Sequence, residues 1–166
     1  YKLGIMLYGL PGYGKSSIIR ALATLYKRNI YVLSLSGLSD TKLKAFMSTV
    51  KENSFILFED FDSFLLTHTR TGDVKPENVD LNTNVTMSGL LNAIDGVDSQ
   101  QDLITFFTTN HIESIDPAFL RPGRADVSLE IKLHSNEPVY SYLSFIYDTD
   151  IQSIKSMFND EVFINV

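Results

Sequence analysis

The sequence contains no cysteine. Disulfides, thiolate nucleophiles and cysteine-ligated zinc are therefore excluded. Histidine is also scarce. His68, His111 and His134 lie far apart, with no metal-ligand spacing, and read as scattered surface or core residues. No apolar run approaches the ~20 residues of a membrane-spanning helix, and no signal peptide is visible. Basic residues are outnumbered, 14 Lys and Arg against 20 Asp and Glu, for a formal net charge of −6. That balance argues against a nucleic-acid partner held on a broad basic face, although a locally basic pore in an assembly is compatible with it. The chain starts at Tyr1 inside a strand-like run and stops at Val166 without a turn signal. It is therefore expected to be a segment of a longer protein, and any membrane anchor would lie outside it.

What is present fits a globular domain. The chain has 166 residues, of which 44% are hydrophobic and 20% charged, enough for one core. Apolar runs alternate with helical patterns, which predicts an α/β fold on a parallel sheet. Strands are expected over Gly4–Tyr8, Asn29–Leu35, Ser54–Phe58, Leu103–Thr108 and Val127–Leu133. Ser54–Phe58 is continuously apolar, as a strand buried on both faces would be. Helices are expected over Ser16–Lys27, with Ile18, Leu22, Leu25 and Tyr26 on its apolar face, and over Thr41–Lys51, capped by Ser39 or Asp40. A third is expected over Val85–Ile94, and Asp116-Pro117 is a helix start. Helical pieces are also expected near Val139–Tyr147 and Ile151–Phe158. The polar stretch Thr67–Asn84, with Gly72 and Pro76, is long for a connection and reads as a functional or mobile loop.

The most informative run is Gly9-Leu10-Pro11-Gly12-Tyr13-Gly14-Lys15-Ser16, followed by Ser17. It fits the pattern G-x-x-x-x-G-K-[ST] between a strand and a helix. A polyphosphate needs many backbone N–H groups converging on one point, and glycines allow that path. The helix start adds a positive end. Lys15 would reach the β- and γ-phosphates, and the Ser16 hydroxyl would ligate Mg²⁺. At ordinary residue frequencies the bare pattern arises by chance in about half a per cent of chains this long, and the strand–helix context lowers that further. ATP with Mg²⁺ is the expected ligand.

Hydrolysis needs more groups. The third strand ends in Phe58-Glu59-Asp60-Phe61-Asp62, an apolar run followed by acids. Glu59 would serve Mg²⁺, through water, and Asp60 would polarise the attacking water. The fourth strand ends in Phe107-Thr108-Thr109-Asn110. In a parallel sheet, ligands sit beyond the carboxyl ends of the strands, so Asn110 would face the γ-phosphate.

These motifs stand in an order that resembles the AAA subfamily of AAA+ ATPases. Ile115-Asp116-Pro117-Ala118-Phe119-Leu120-Arg121-Pro122-Gly123-Arg124 is similar to that subfamily's second region of homology. The pair Glu59-Asp60, in exchanged order, points to a narrower branch, as do Ser88–Val97 and Thr108-Thr109-Asn110-His111. That branch includes the mitochondrial inner-membrane chaperone of the Rieske iron–sulfur protein. The resemblance covers about Gly4 to Asp126. It implies a P-loop NTPase fold of three αβα layers on a five-stranded parallel sheet, in a homo-oligomeric ring of six or seven subunits acting on a protein cargo. Arg121 and Arg124 would then be arginine fingers for a neighbour's γ-phosphate, Asn110 the sensor, and the mitochondrial inner membrane the location. A nucleotide-binding core over 1–133 and a partial helical lid or extension over 134–166 complete the expected organisation.

Two departures from the family pattern stand out. The stretch after the second strand, Ser36-Gly37-Leu38-Ser39, lacks the aromatic of a threading pore loop. After Leu133 the usual lid is truncated or altered, so no second sensor arginine can be assigned. The exchanged Glu59-Asp60 pair and the missing pore aromatic make a nucleotide-dependent scaffold with little turnover an alternative. A GTPase or phosphoryl-transfer enzyme finds less support, because no N-K-x-D motif is present.

Overall fold

The computed structural model describes residues 2–62, 64, 85–96, 102–132, 135 and 137–157. The expected loop Thr67–Asn84 lies outside them, as do His68, His134 and Leu133. The chain divides into two compact units, residues 1–131 and 132–166.

The first unit is built on five parallel strands: β1 (Lys2–Tyr8), β2 (Ile30–Leu33), β3 (Phe55–Phe58), β4 (Leu103–Thr109) and β5 (Val127–Glu130). Their spatial order is β2-β3-β4-β1-β5. Helices α1 (Lys15–Leu25), α2 (Asp40–Thr49) and α3 (Met87–Asp95) complete it, with two single-turn 3₁₀ segments at Ile112–Ser114 and Pro117–Leu120.

Strand periodicity explains the layers, because alternate side chains point to opposite faces. Phe55 and Leu57 pack with Leu7 and Phe106 against Ile19 and Ala23 of α1. Ile56 and Phe58 pack with Met6 and Phe107 against Leu43 of α2 and Leu90 and Ile94 of α3. All four residues of β3 are buried, as its continuous apolar run predicts. Ser39 caps α2 by accepting from the Lys42 N–H, and Thr86 caps α3 by accepting from the Gly89 N–H.

The structure corrects the expected face of α1 in part: Leu22 is half-buried against the sheet as expected, but its companions are not. Ile18, Leu25 and Tyr26 are exposed, and the buried positions are Lys15, Ile19 and Ala23. These three follow i, i+4 spacing, so they form one stripe. Lys15 sets its phase: turning the lysine inward brings Ile19 and Ala23 onto the sheet, and alanine allows close approach. The expected helix after Asp116 is one 3₁₀ turn. Asp116 caps it by accepting from the Ala118 N–H, and Arg121, which precedes Pro122, is extended at φ −91°, ψ 151°, as proline demands of its predecessor. The expected fifth strand is short and lies at an edge, exposed throughout.

The second unit holds two helices, α4 (Glu137–Tyr147) and α5 (Ile151–Met157). Tyr140 and Ile154 are buried, and Lys155 pairs with Glu137. Asp150 caps α5 by accepting from the Gln152 and Ser153 N–H groups. Among the described residues, no helix is long and apolar enough to cross a membrane.

Candidate active site

Register brings the carboxyl ends of three central strands together. Tyr8 pairs with Thr109, and Phe58 with Phe107. The residues that follow, Gly9, Glu59 and Asn110, therefore emerge side by side. Two aromatic contacts fix this end. Phe58 stacks on Phe107 at 5.3 Å between ring centroids. Phe61, between the two aspartates, is fully buried and meets Phe107 at 5.1 Å and Phe119 at 4.8 Å edge to face. Such pairs contribute about 0.5–1.5 kcal/mol each beyond simple burial.

The loop after β1 follows the path its glycines predict. Gly12 and Gly14 both have φ +82°, a region costly for other L-residues. Gly14 is the residue just before α1, and the first turn of α1 contains no acidic side chain to neutralise its positive end. Ser16 is half-buried in that turn; Pro11 and Ser17 are exposed, and Tyr13 is half-buried.

Lys15 is buried among acceptors. Its Nζ donates to the Gly9 carbonyl at 2.7 Å, the Leu10 carbonyl at 3.0 Å and Asn110 Oδ1 at 2.7 Å. Burial lowers its pKa below the usual lysine value, and the charges of Asp60 and Asp62 oppose that shift. Lys15, Asn110 and both aspartates thus form one electrostatic group. The backbone N–H of Asn110 donates to Asp62 Oδ2 at 3.4 Å. The other oxygen of this buried carboxylate, Asp62 Oδ1, has no hydrogen-bond partner among the described residues.

Asp60 occupies the left-handed region at φ +48°, and its N–H donates to the buried Thr108 hydroxyl at 3.3 Å. Asp and Asn enter this region far more readily than longer side chains. Local backbone geometry therefore favours the exchanged order, with aspartate second. Glu59, half-buried, lies 3.7 Å from Arg20 of α1. The donors that the sequence suggests for Mg²⁺, the Ser16 hydroxyl and the Glu59 carboxylate, are both hard oxygens. Mg²⁺ usually takes only one or two carboxylates alongside substrate phosphates, so these residues fit it.

The arginines stand apart from this group. Among the described residues, no hydrogen bond or ion pair joins either to the phosphate loop. Arg124 is engaged by its own chain: Nε and Nη2 donate to Asp95 Oδ2 at 3.0 and 2.6 Å, and Nη1 donates to the Ala118 carbonyl at 2.6 Å. Arg121 is exposed, and its guanidinium makes no such contact among the described residues.

Sequence reasoning assigned no role to Asp62, Asp95 or Asp126. Asp62 had a detectable signal, an acid set between Phe61 and Phe64 in an apolar stretch. The other two act through partners distant in sequence. Of the histidines, His111 is described, with Nδ1 2.9 Å from Glu113 Oε1. No cluster suited to a metal exists among described His, Asp and Glu residues.

A parallel sheet in this order, with a glycine loop after β1 and acids after β3, defines a P-loop nucleotide-binding module. Residues 5–133 match the family described as "ATPase family associated with various cellular activities (AAA)". The chain belongs to this AAA family of ATPases. It is 42% identical over 149 residues to the probable mitochondrial chaperone bcs1 of Schizosaccharomyces pombe, covering 89% of this chain and 32% of that protein. It is 38% identical over 164 residues to the mitochondrial chaperone BCS1 of Homo sapiens, covering 98% of this chain and 39% of that protein. The chain therefore spans about a third of the length of the curated relatives it matches.

Proposed function

We propose that the chain is the ATP-hydrolysing module of a ring-forming mitochondrial chaperone that remodels or translocates a protein. One observation carries the reading. Lys15 is buried against Asn110 beside Asp60 and Asp62, where three strand ends converge.

In this reading Gly9–Gly14 wrap the triphosphate with backbone N–H groups, and Lys15 turns its ammonium to the terminal phosphates. Ser16, and Glu59 through water, would hold Mg²⁺, which would supply charge neutralisation at the phosphate oxygens. Asp60 accepts a proton from water, and Asn110 orients it. Arg121 of a neighbouring copy stabilises the charge that develops on the γ-phosphate. Arg124 joins it only by leaving Asp95. The relatives' names support a mitochondrial location and a chaperone role. Ring size of six or seven, the inner membrane and the 1–133 and 134–166 division follow from family resemblance.

Asp60→Asn is expected to lower kcat by about 10²–10⁴ while ATP still binds. Phosphate release and ATP titration check this; unchanged turnover would remove Asp60 from the chemistry. If the wild type binds ATP with no turnover at all, the scaffold alternative stands instead.

Mixing Lys15→Ala with Arg121→Ala, each inactive alone, is expected to restore activity. Random assortment gives roughly a quarter of interfaces an intact loop facing an intact arginine. No recovery in mixtures that assemble would rule out a finger supplied by the neighbour.

A further inference from the structure

The turn that carries the two arginines is fastened from both sides. On one side, Arg124 is clamped by Asp95 and the Ala118 carbonyl. On the other, Asp126 bridges the turn to β1. Its Oδ1 accepts from the Gly123 N–H at 2.7 Å and its Oδ2 accepts from the Gly4 N–H at 2.8 Å. The Asp126 N–H returns a bond to the Gly4 carbonyl at 2.9 Å. The backbone at Arg124 lies so close to β1 that a Cβ built on Gly4 would stand 1.3 Å from the Arg124 carbonyl oxygen. Arg121 is left exposed on this braced turn, with its guanidinium uncommitted among the described residues.

We propose that Asp126 is a positioning residue for catalysis in the neighbouring subunit. It holds the backbone from which Arg121 projects, and so governs the cation this chain lends rather than the nucleotide it binds. The inference rests on the proposed role of Arg121 in trans. A carboxylate suits the task because both donors are N–H groups and each oxygen takes one. Bonds to a charged acceptor are roughly twice as strong as neutral ones. An asparagine would turn an NH₂ toward one of the donors. The two backbone bonds, Gly123 first, also hold the Asp126 carboxyl below its ordinary pKa. Preorganisation of this kind matters because a displacement of about 1 Å can lower a rate about 10²-fold.

The test uses Asp126→Asn in the intact protein. Turnover is expected to fall about 10–100-fold, with ATP affinity close to wild type. Mixed with Lys15→Ala, the variant should recover activity, because its own loop then faces an intact arginine turn. Mixed with Arg121→Ala, it should not, because both partners lend a defective turn. Recovery with Arg121→Ala but not with Lys15→Ala would overturn the proposal and place Asp126 at its own site. Recovery with neither, or loss of ATP binding, would also overturn it and reduce Asp126 to a prop of the fold. Should Asp126→Asn fail to fold, Asp126→Glu keeps both oxygens, shifted by one methylene, and is read in the same two mixtures. A control mixture of Lys15→Ala and Arg121→Ala that recovers nothing defeats the trans reading itself. Recovery in that control alone defeats only this proposal.

Discussion

Replacing Lys15 with methionine is expected to abolish ATP-dependent stabilisation and to lower turnover by about 10²–10³. Methionine keeps an unbranched stem in the buried slot beside Ile19. It removes the donor that serves the Gly9 and Leu10 carbonyls and Asn110 Oδ1 together. It also removes the cation that faces Asp60 and Asp62. A triphosphate would then enter beside two carboxylates with no ammonium between. In wild type, ATP at a hundredfold excess over Kd should stabilise the fold by about 2.7 kcal/mol. For a chain of this size that is roughly 5–11 °C in Tm. The variant should gain less than ~2 °C under the same conditions. Thermal melts with and without ATP and Mg²⁺ decide it, and an equal shift in both proteins would mean that Lys15 is not the phosphate ligand.

The second large effect concerns a glycine remote from the loop. Gly4→Ala is expected to destabilise the protein by about 3 kcal/mol or more, at the upper end for overpacking. The new methyl would sit 1.3 Å from the Arg124 carbonyl oxygen and 3.1 Å from Ala125 Cα. Backbone, not a flexible side chain, stands in its way. Relief would require β1 to move, yet Gly4 is paired with Thr105 and the next residue with Val127. The expected fall in Tm is about 6–12 °C. Thermal melts provide the check, and a Tm within ~2 °C of wild type would show that the close approach is not rigid.

How much of this was legible follows from sequence distance. The phosphate loop is a local motif: eight adjacent residues specify glycines, lysine and serine, and the structure gives them the expected backbone. The acids after β3 were visible as a cluster for the same reason, being adjacent in sequence. The face of α1 was not, because counting large apolar residues favours Ile18 and Leu25. The actual stripe passes through Lys15, a charged residue, and Ala23, a small one. Nor were the braces of the arginine turn. Asp95 meets Arg124 across 29 positions and Asp126 meets Gly4 across 122. Only the assembled fold brings those pairs together. The αL backbone of Asp60, a conformation that aspartate tolerates, was hidden too.

The two outer strands bear on how copies of the module can meet. β2 and β5 are four residues each. An incoming strand at either border would gain a ladder only a few rungs long, too little to outweigh the entropy of ordering it. Growth of the sheet from copy to copy, the route to fibres, is thus blunted at both margins. Among the described residues, side chains on helices and turns can instead support contacts whose geometry is closed and finite.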